Sequence, residues 1–223
     1  MDDLEDHIRQ AIANDDWATA TRLGDQLDRR HRRTAPTLAG SALWYAARGH
    51  KVFPLRPGSK KPHPGTHGCL DATTDADQIR RWWQATPEAN IGLATGHTVD
   101  VIDIDGPAGV RSKLDHDDLF DMPFLGLANT PRPGGTHIYV PAADGMGNKT
   151  GLLPGIDYRG EGGYVVAPPS RVTSADDPDI KHDGTYDWLA PIGVDHTQCR
   201  LHGDTLRPDA CWTCQQISRG TDG

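Results

Sequence analysis

The stretch Val99 to Gly106, VDVIDIDG, constrains the fold more than any other part of this chain. Side chains alternate between the two faces of a β-strand, so Asp103 and Asp105 point to one face while Ile102 and Ile104 point to the other. One face is therefore expected to join a hydrophobic core, and the other to carry two carboxylates. Carboxylates held this close raise each other's pKa values unless a cation lies between them, and a divalent metal is the usual solution.

A third carboxylate follows the same pattern in the segment PGIDYRG. There Asp157 alternates with Ile156 and Tyr158, as Asp103 and Asp105 alternate with isoleucines. Three acidic ligands on strands are one way to build a metal-dependent phosphoryl- or nucleotidyl-transfer site. The residues alone leave two simpler interpretations open, in which the first pair lies on a solvated strand face and Asp157 belongs to a glycine turn.

A fourth functional candidate is the histidine in the segment PRPGGTHIYV. Alternation places His137 and Tyr139 on one strand face, so His137 can share a cleft with the carboxylates. Before it come Arg132, Gly134 and Gly135, and a guanidinium beside backbone N–H groups can hold triphosphate oxygens. Acid, glycine, arginine and histidine together indicate phosphate chemistry on a metal.

The chain has 223 residues and a formal net charge of −8, which favours one substantial domain with a small appendage. This charge argues against binding of nucleic acid over the whole surface but permits one basic groove. The N-terminus has no apolar signal core, and no segment approaches the roughly 18 apolar residues of a membrane span. We therefore expect a cytoplasmic protein without a membrane partner.

The pattern along the chain predicts three parts. Residues 1–35 form an accessory helical segment, residues 36–190 a catalytic domain and residues 191–223 a metal-binding tail. Within the middle part, helices come first and are followed by several strands separated by Gly/Pro turns. This order favours an α+β fold on a mixed or antiparallel sheet.

Five segments, in this order, resemble the primase-polymerase (prim-pol) domain of the archaeo-eukaryotic primase superfamily, in particular that of plasmid and phage replication proteins. The resemblance spans about Ser41 to Trp188. The segments are ALWYAARGHKVFPLRPGSKKP, TTDADQIRRWWQATPEANIGLATG, VIDIDG, PRPGGTHIYV and GIDYRGEGGYVVAPPS.

The resemblance implies a DNA primase/polymerase that makes or extends primers on single-stranded DNA from nucleoside triphosphates. It implies that Asp103, Asp105 and Asp157 bind catalytic Mg²⁺ or Mn²⁺, and that His137 contacts the phosphates of the incoming nucleotide. Many superfamily members have a serine two residues before this histidine. Here that residue is Gly135, so a hydroxyl contact is missing, and a backbone N–H could replace it.

Further contacts to phosphate or template are expected from four basic residues: Lys60, Lys61, Arg132 and Arg159. Arg159 is the strongest of them, because it lies two residues after Asp157 and so faces the same way on a strand. Each lysine is as consistent with a solvated loop charge. The sequence contains no GxxxxGK[ST] loop, so a separate replicative helicase is the expected partner.

The last part of the chain contains a second metal-binding pattern. Cys199 and His202 are two residues apart, and after a short spacer so are Cys211 and Cys214. This spacing is typical of a closed Cys3His site for structural zinc. His196 is a spare ligand, and the alternative is a disordered tail with incidental thiols.

Two other functions are consistent with parts of the sequence. A haloacid dehalogenase-like phosphohydrolase also carries an Asp-x-Asp on a strand, but needs an α/β alternation that the strands after Gly126 do not show. A non-catalytic single-stranded nucleic-acid-binding protein would use the zinc module and the sheet. The complete acidic set with His137 argues against that second alternative.

Overall fold

The computed structural model describes residues 36–120 and 124–192, together with single residues between His7 and Leu23. The chain divides into two compact units, Met1–Thr37 and Leu38–Gly223. In the first unit the described residues are helical on both sides of a break at Asn14 and Asp16. The Asp16 carboxylate accepts a hydrogen bond from the Thr19 N–H at 3.0 Å, which is the contact that begins a helix.

Three helices are described within residues 38–120 and 124–192 of the second unit. They are α1 (Leu38–Ala46), α2 (Ala76–Ala85) and α3 (Gly106–Asp115). Short 3-10 turns occupy Gly68–Asp71 and Asp117–Phe120. None of the helices in the described ranges is both long and apolar enough to cross a membrane.

The described part of this unit also contains eleven strands. They are β1 (Val52–Leu55), β2 (Asn90–Ala94), β3 (Val99–Ile104), β4 (Gly126–Asn129), β5 (Thr136–Pro141), β6 (Lys149–Leu153), β7 (Ile156–Arg159), β8 (Tyr164–Ala167), β9 (Arg171–Val172), β10 (Gly184–Thr185) and β11 (Asp187–Ala190). A six-stranded sheet has the order β11-β4-β5-β3-β7-β6, a three-stranded sheet the order β1-β2-β8, and β9 pairs with β10. All of these strand pairs are antiparallel, so the α+β prediction is confirmed with an antiparallel rather than a mixed sheet.

Helix α2 shows how the local sequence fixes an element. The Asp75 carboxylate accepts hydrogen bonds from the N–H groups of Asp77 and Gln78, at 2.8 and 3.2 Å, and so caps the first turn. Ile79 and Trp83, four residues apart, are both buried on the face that meets the core. A carboxylate cap and one buried face therefore define this helix.

The main core lies between the six-stranded sheet, the three-stranded sheet and helices α1 and α2. Val101 of β3 and Tyr139 of β5 contribute to it from the six-stranded sheet. Ile102, Ile104 and Ile138 point to the opposite face and form a separate cluster. The alternation predicted for β3 and β5 is confirmed, and the face that carries Val101 is also the face of Asp103.

One alternative is excluded and one local prediction needs correction. Asp157 lies inside β7, as the alternation predicted, so the alternative interpretation as a turn residue is wrong. Asp105 lies one residue beyond β3, at the N-cap of α3, and keeps an extended backbone (φ −114°, ψ 106°) without capping the helix through its side chain. Its carboxylate is therefore not used by the helix that it precedes. The predicted ligands Cys199, His202, Cys211 and Cys214 lie outside the described residues.

Candidate active site

Strand register brings three of the predicted residues side by side. Asp103 of β3 is directly opposite Asp157 of β7 on one side and His137 of β5 on the other. Directly opposed residues of antiparallel strands point to the same face, with Cβ atoms about 4.5–5.5 Å apart. The central three strands of the large sheet therefore present a row of two carboxylates and an imidazole.

Asp157 is held from both sides. One carboxylate oxygen accepts the N–H of Gly151 from β6 at 2.7 Å, and the other accepts Arg159 Nη2 at 2.7 Å. The same Arg159 nitrogen is 3.6 Å from Asp103 Oδ2. The prediction that Arg159 shares the face of Asp157 is confirmed, and its guanidinium lies between two carboxylates.

Asp105 has a more open position than Asp103. Its side chain is 37% exposed, and one oxygen is 3.3 Å from Arg132 Nη1. The Asp103 side chain is 15% exposed. The pKa values of both carboxyls are raised above their usual range, chiefly by burial and further by neighbouring carboxylates, against the opposing effect of the nearby cations. This is the electrostatic state that an added cation would relieve.

His137 is buried and uncharged. Its Nε2 lies 3.5 Å from Asp103 Oδ1, while its Nδ1 has no hydrogen-bond partner in the described part of the chain. Burial, followed by the charge of Lys60, lowers the pKa of His137 to about 3. Tyr139 and Tyr186 pack against the imidazole, with ring centroids 6.1 and 5.5 Å away. The ring is thus fixed in place and presents a neutral nitrogen toward the carboxylates.

The loop between β4 and β5 places Arg132, Gly134 and Gly135 beside this row. Gly134 has φ +72°, a conformation that favours glycine. The Gly135 N–H donates to the Arg132 carbonyl at 2.8 Å, so it is not free to replace the missing serine hydroxyl. A Cβ at Gly135 would lie 2.1 Å from Thr130 Oγ1. The threonine hydroxyl therefore occupies the space in which a side chain at residue 135 would begin.

The two neighbouring lysines differ in their partners. The charge of Lys60 lowers the pKa values of Asp103, Asp105 and His137, so Lys60 lies within electrostatic range of the acidic row. Lys61 Nζ binds Asp177 Oδ1 at 3.0 Å and also pairs with Asp179. Lys61 is accordingly part of a structural ion pair away from the acidic row.

Comparison with known protein families shows which family the chain belongs to. The family model for the N-terminal domain of bifunctional DNA primases/polymerases matches residues 42–198. The chain belongs to the prim-pol family. A search of curated proteins found no match. The family resemblance predicted from the sequence motifs is confirmed, and with it a DNA primase/polymerase type of function.

The prim-pol domain concentrates unsatisfied polar atoms near the site. Four buried side-chain polar atoms of the described ranges lack a hydrogen-bond partner: Arg56 Nε, Thr130 Oγ1, His137 Nδ1 and Tyr139 Oη. Three of them belong to the hairpin formed by β4 and β5. Buried polar atoms are usually paired, and exceptions concentrate where function requires them.

The donor set of the prim-pol domain fits a hard divalent cation, because carboxylate oxygens are the ligands that Mg²⁺ and Mn²⁺ prefer. Among residues 36–120 and 124–192, however, no three His, Cys, Asp or Glu side chains already converge on one point. The Arg159 guanidinium lies between Asp103 and Asp157 and contacts carboxylate oxygens that a bound metal would need as ligands. A bound metal would replace this guanidinium as the shared cation.

Sequence reasoning missed three contributors to the prim-pol site. Gly151 holds Asp157 from an edge strand, Thr130 fills the space beside Gly135, and Tyr186 covers His137. Gly151 and Tyr186 lie in segments without regular alternation of apolar and polar residues. The only signal for Thr130 was its place five residues before Gly135 in the hairpin.

Proposed function

We propose that this chain is a metal-dependent nucleotidyltransferase that synthesises or extends DNA primers on a single-stranded DNA template. The observation that carries the proposal is the row of Asp157, Asp103 and His137 across three paired strands, with Asp105 beside it. The family assignment supports primase/polymerase chemistry, and the row supplies the residue types that this chemistry needs.

Asp103, Asp105 and Asp157 would hold Mg²⁺ or Mn²⁺. Such ions supply charge neutralisation at the phosphates and lower the pKa of the attacking hydroxyl. In the reaction a 3′-hydroxyl oxygen bonds to the α-phosphorus of a nucleoside triphosphate while the bond to the β-phosphate breaks. The products are an extended strand and pyrophosphate, and the hydroxyl proton is released.

The chain's own cations would orient the triphosphate. Arg132 offers a forked donor, Lys60 a point charge and Arg159 a second guanidinium next to the carboxylates. The Gly134 N–H has no acceptor among the described residues and is available to a phosphate oxygen. His137 is neutral, so it can donate a hydrogen bond to the nucleotide without adding a charge to the site.

Two further proposals concern parts of the system outside the described residues. Cys199, His202, Cys211 and Cys214 would bind one structural Zn²⁺, which metal analysis of the purified chain measures directly. A separate helicase would unwind the template. The plasmid or phage context suggested by the sequence motifs is part of the same proposal.

The experiment is oligonucleotide synthesis from labelled nucleoside triphosphates on single-stranded DNA, with Mg²⁺ or Mn²⁺ and with ribo- and deoxynucleotides supplied separately. Asp103→Asn and Asp105→Asn keep the side-chain volume and remove the charge. Asp144→Asn, in an exposed loop, is the matched control. We expect the rate of oligonucleotide synthesis to fall at least about 100-fold in each site variant. This is the effect of removing one stabilising contact to a transition state.

The outcomes separate the functions. Synthesis that requires metal and disappears in the site variants supports the proposal. Single-strand binding without synthesis by the wild-type chain favours a non-catalytic binding protein. Phosphate release without a template favours a phosphohydrolase, although the antiparallel neighbours of β3 are unlike the α/β alternation of the haloacid dehalogenase type.

A further inference from the structure

Tyr186, between β10 and β11, lies outside every motif that the sequence singled out. Its ring packs on the His137 imidazole, with centroids 5.5 Å apart and planes inclined by 38°. The residue is 2% exposed. It therefore forms part of the wall of the candidate active site while belonging to a distant segment of the chain.

The tyrosine is held rigidly in this position. Its ring belongs to a cluster of buried side chains that also includes Phe53, Leu55, Val166, Val172 and Ile180. Its backbone N–H donates to the Ser170 carbonyl at 2.8 Å. A ring packed in this way cannot change its orientation unless the cluster opens. The position of its hydroxyl oxygen is therefore fixed.

The Tyr186 hydroxyl makes no hydrogen bond to another residue of 36–120 or 124–192, whereas the hydroxyls of Tyr45, Tyr158 and Tyr164 each donate one there. It is also not one of the enclosed polar atoms that lack a partner. Asp103, Asp105 and Arg132 are the charged groups that act on it. Burial, reinforced by the two carboxylates, raises its pKa, so the group stays a neutral donor. A neutral donor with no described partner thus lies within electrostatic range of the two carboxylates and of an arginine proposed to bind phosphate.

We propose that Tyr186 is a nucleotide-binding residue, whose hydroxyl donates a hydrogen bond to an oxygen of the triphosphate of the bound nucleotide. This inference rests on the proposed function, because it assumes that a nucleoside triphosphate lies between Arg132 and His137. The triphosphate brings anionic acceptors to the place where the hydroxyl lacks one. The neighbouring histidine and arginine favour a phosphate oxygen over a sugar oxygen.

The test compares Tyr186→Phe with wild type for binding of a deoxynucleoside triphosphate, a ribonucleoside triphosphate and inorganic tripolyphosphate, by calorimetry in Mg²⁺. A hydrogen bond to a charged acceptor corresponds to about a 10- to 100-fold loss of affinity for all three ligands. Thermal unfolding without ligand should show Tyr186→Phe at least as stable as wild type, because the substitution breaks no hydrogen bond within the described residues.

Tyr158→Phe is the matched control. Its hydroxyl donates to the buried Asp100 carboxylate, and its ring packs on the opposite face of the sheet. This variant should lose stability and keep its affinity for tripolyphosphate. A structural role for the Tyr186 hydroxyl would give the same result in both variants, and so overturn the inference.

Each remaining outcome is informative. Unchanged affinity of Tyr186→Phe, with wild type binding all three ligands, overturns the inference and leaves the proposed function intact. A loss confined to the two nucleotides, with tripolyphosphate unaffected, overturns the phosphate contact in favour of the sugar or base. Failure of wild type to bind any of the three ligands overturns both this inference and the proposed function.

Discussion

A steric prediction concerns Gly135, two residues before His137. A Cβ at this position would lie 2.1 Å from Thr130 Oγ1 and 2.9 Å from the Arg132 carbonyl oxygen, whereas ordinary contacts begin near 3.4 Å. The Arg132 carbonyl accepts the Gly135 N–H at 2.8 Å, and the Thr130 N–H donates to the Gly135 carbonyl at 3.0 Å. The backbone of the loop is thus closed by hydrogen bonds and cannot move away freely.

Gly135→Ala should therefore destabilise the domain by about 1–3 kcal/mol, the usual range for overpacking a close contact. Most of the overlap is with the Thr130 hydroxyl, which has no hydrogen-bond partner to lose. Thr130→Ala removes that atom. In the Thr130→Ala background, the cost of Gly135→Ala should fall by about 1 kcal/mol or more, within the range measured for residues in contact.

Urea unfolding of the wild type, the two single variants and the double variant measures this coupling. Gly147→Ala is the control, because a Cβ there meets nothing within 4 Å, and its expected effect is within about 0.5 kcal/mol. The reasoning is refuted if Gly135→Ala is no more destabilising than Gly147→Ala. It is also refuted if its cost is the same with and without the Thr130 hydroxyl.

Two other predictions concern the neighbouring lysines and the buried histidine. Lys60→Ala should weaken nucleotide binding and have little effect on the free energy of unfolding. Lys61→Ala should lower the unfolding midpoint and leave nucleotide binding unchanged, because Lys61 binds Asp177. The opposite pattern would contradict the different roles given to the two lysines. His137 has a folded-state pKa of about 3, below its unfolded value of 6.5, so its neutral burial stabilises above pH 6.5 and this stabilisation is lost as the pH falls towards 3. Relative to His137→Gln, wild type should lose about 2 kcal/mol between pH 7 and pH 5, and parallel stability curves would exclude a buried neutral histidine.

The sequence predicted well wherever the hydrophobic alternation was long. The faces of β3, β5 and β7 follow from isoleucines and valines placed every second residue, and they put Asp103, Asp157 and His137 on the correct side. Period-two alternation is a local property, so one chain segment suffices to show it. The register that sets these side chains directly opposite one another is not local, and the sequence did not reveal it.

Short or irregular segments were not predictable in the same way. Strands β9 and β10 have two residues each, and β6 contains a register shift around Gly151. Tyr186 joins the site only because those elements return the chain to β4. Lys60 and Lys61 are adjacent and chemically identical in the sequence. They are distinguished by two carboxylates more than 100 positions away, Asp177 and Asp179, which pair with Lys61.

Glycine contacts at the edge of the site explain how the register of the carboxylates is fixed. Gly155 lies just before β7, and Asp105 lies just after β3. The Gly155 carbonyl accepts a hydrogen bond from the Asp105 N–H at 2.7 Å. A Cβ at Gly109 of α3 would lie 2.3 Å from the same carbonyl oxygen. Only a helix with glycine at this position can therefore approach the turn so closely. Because α3 begins directly after Asp105 and the turn leads directly into Asp157, this packing ties the ends of β3 and β7 together. A slip of one residue would move Asp157 to the opposite face and dismantle the acidic row.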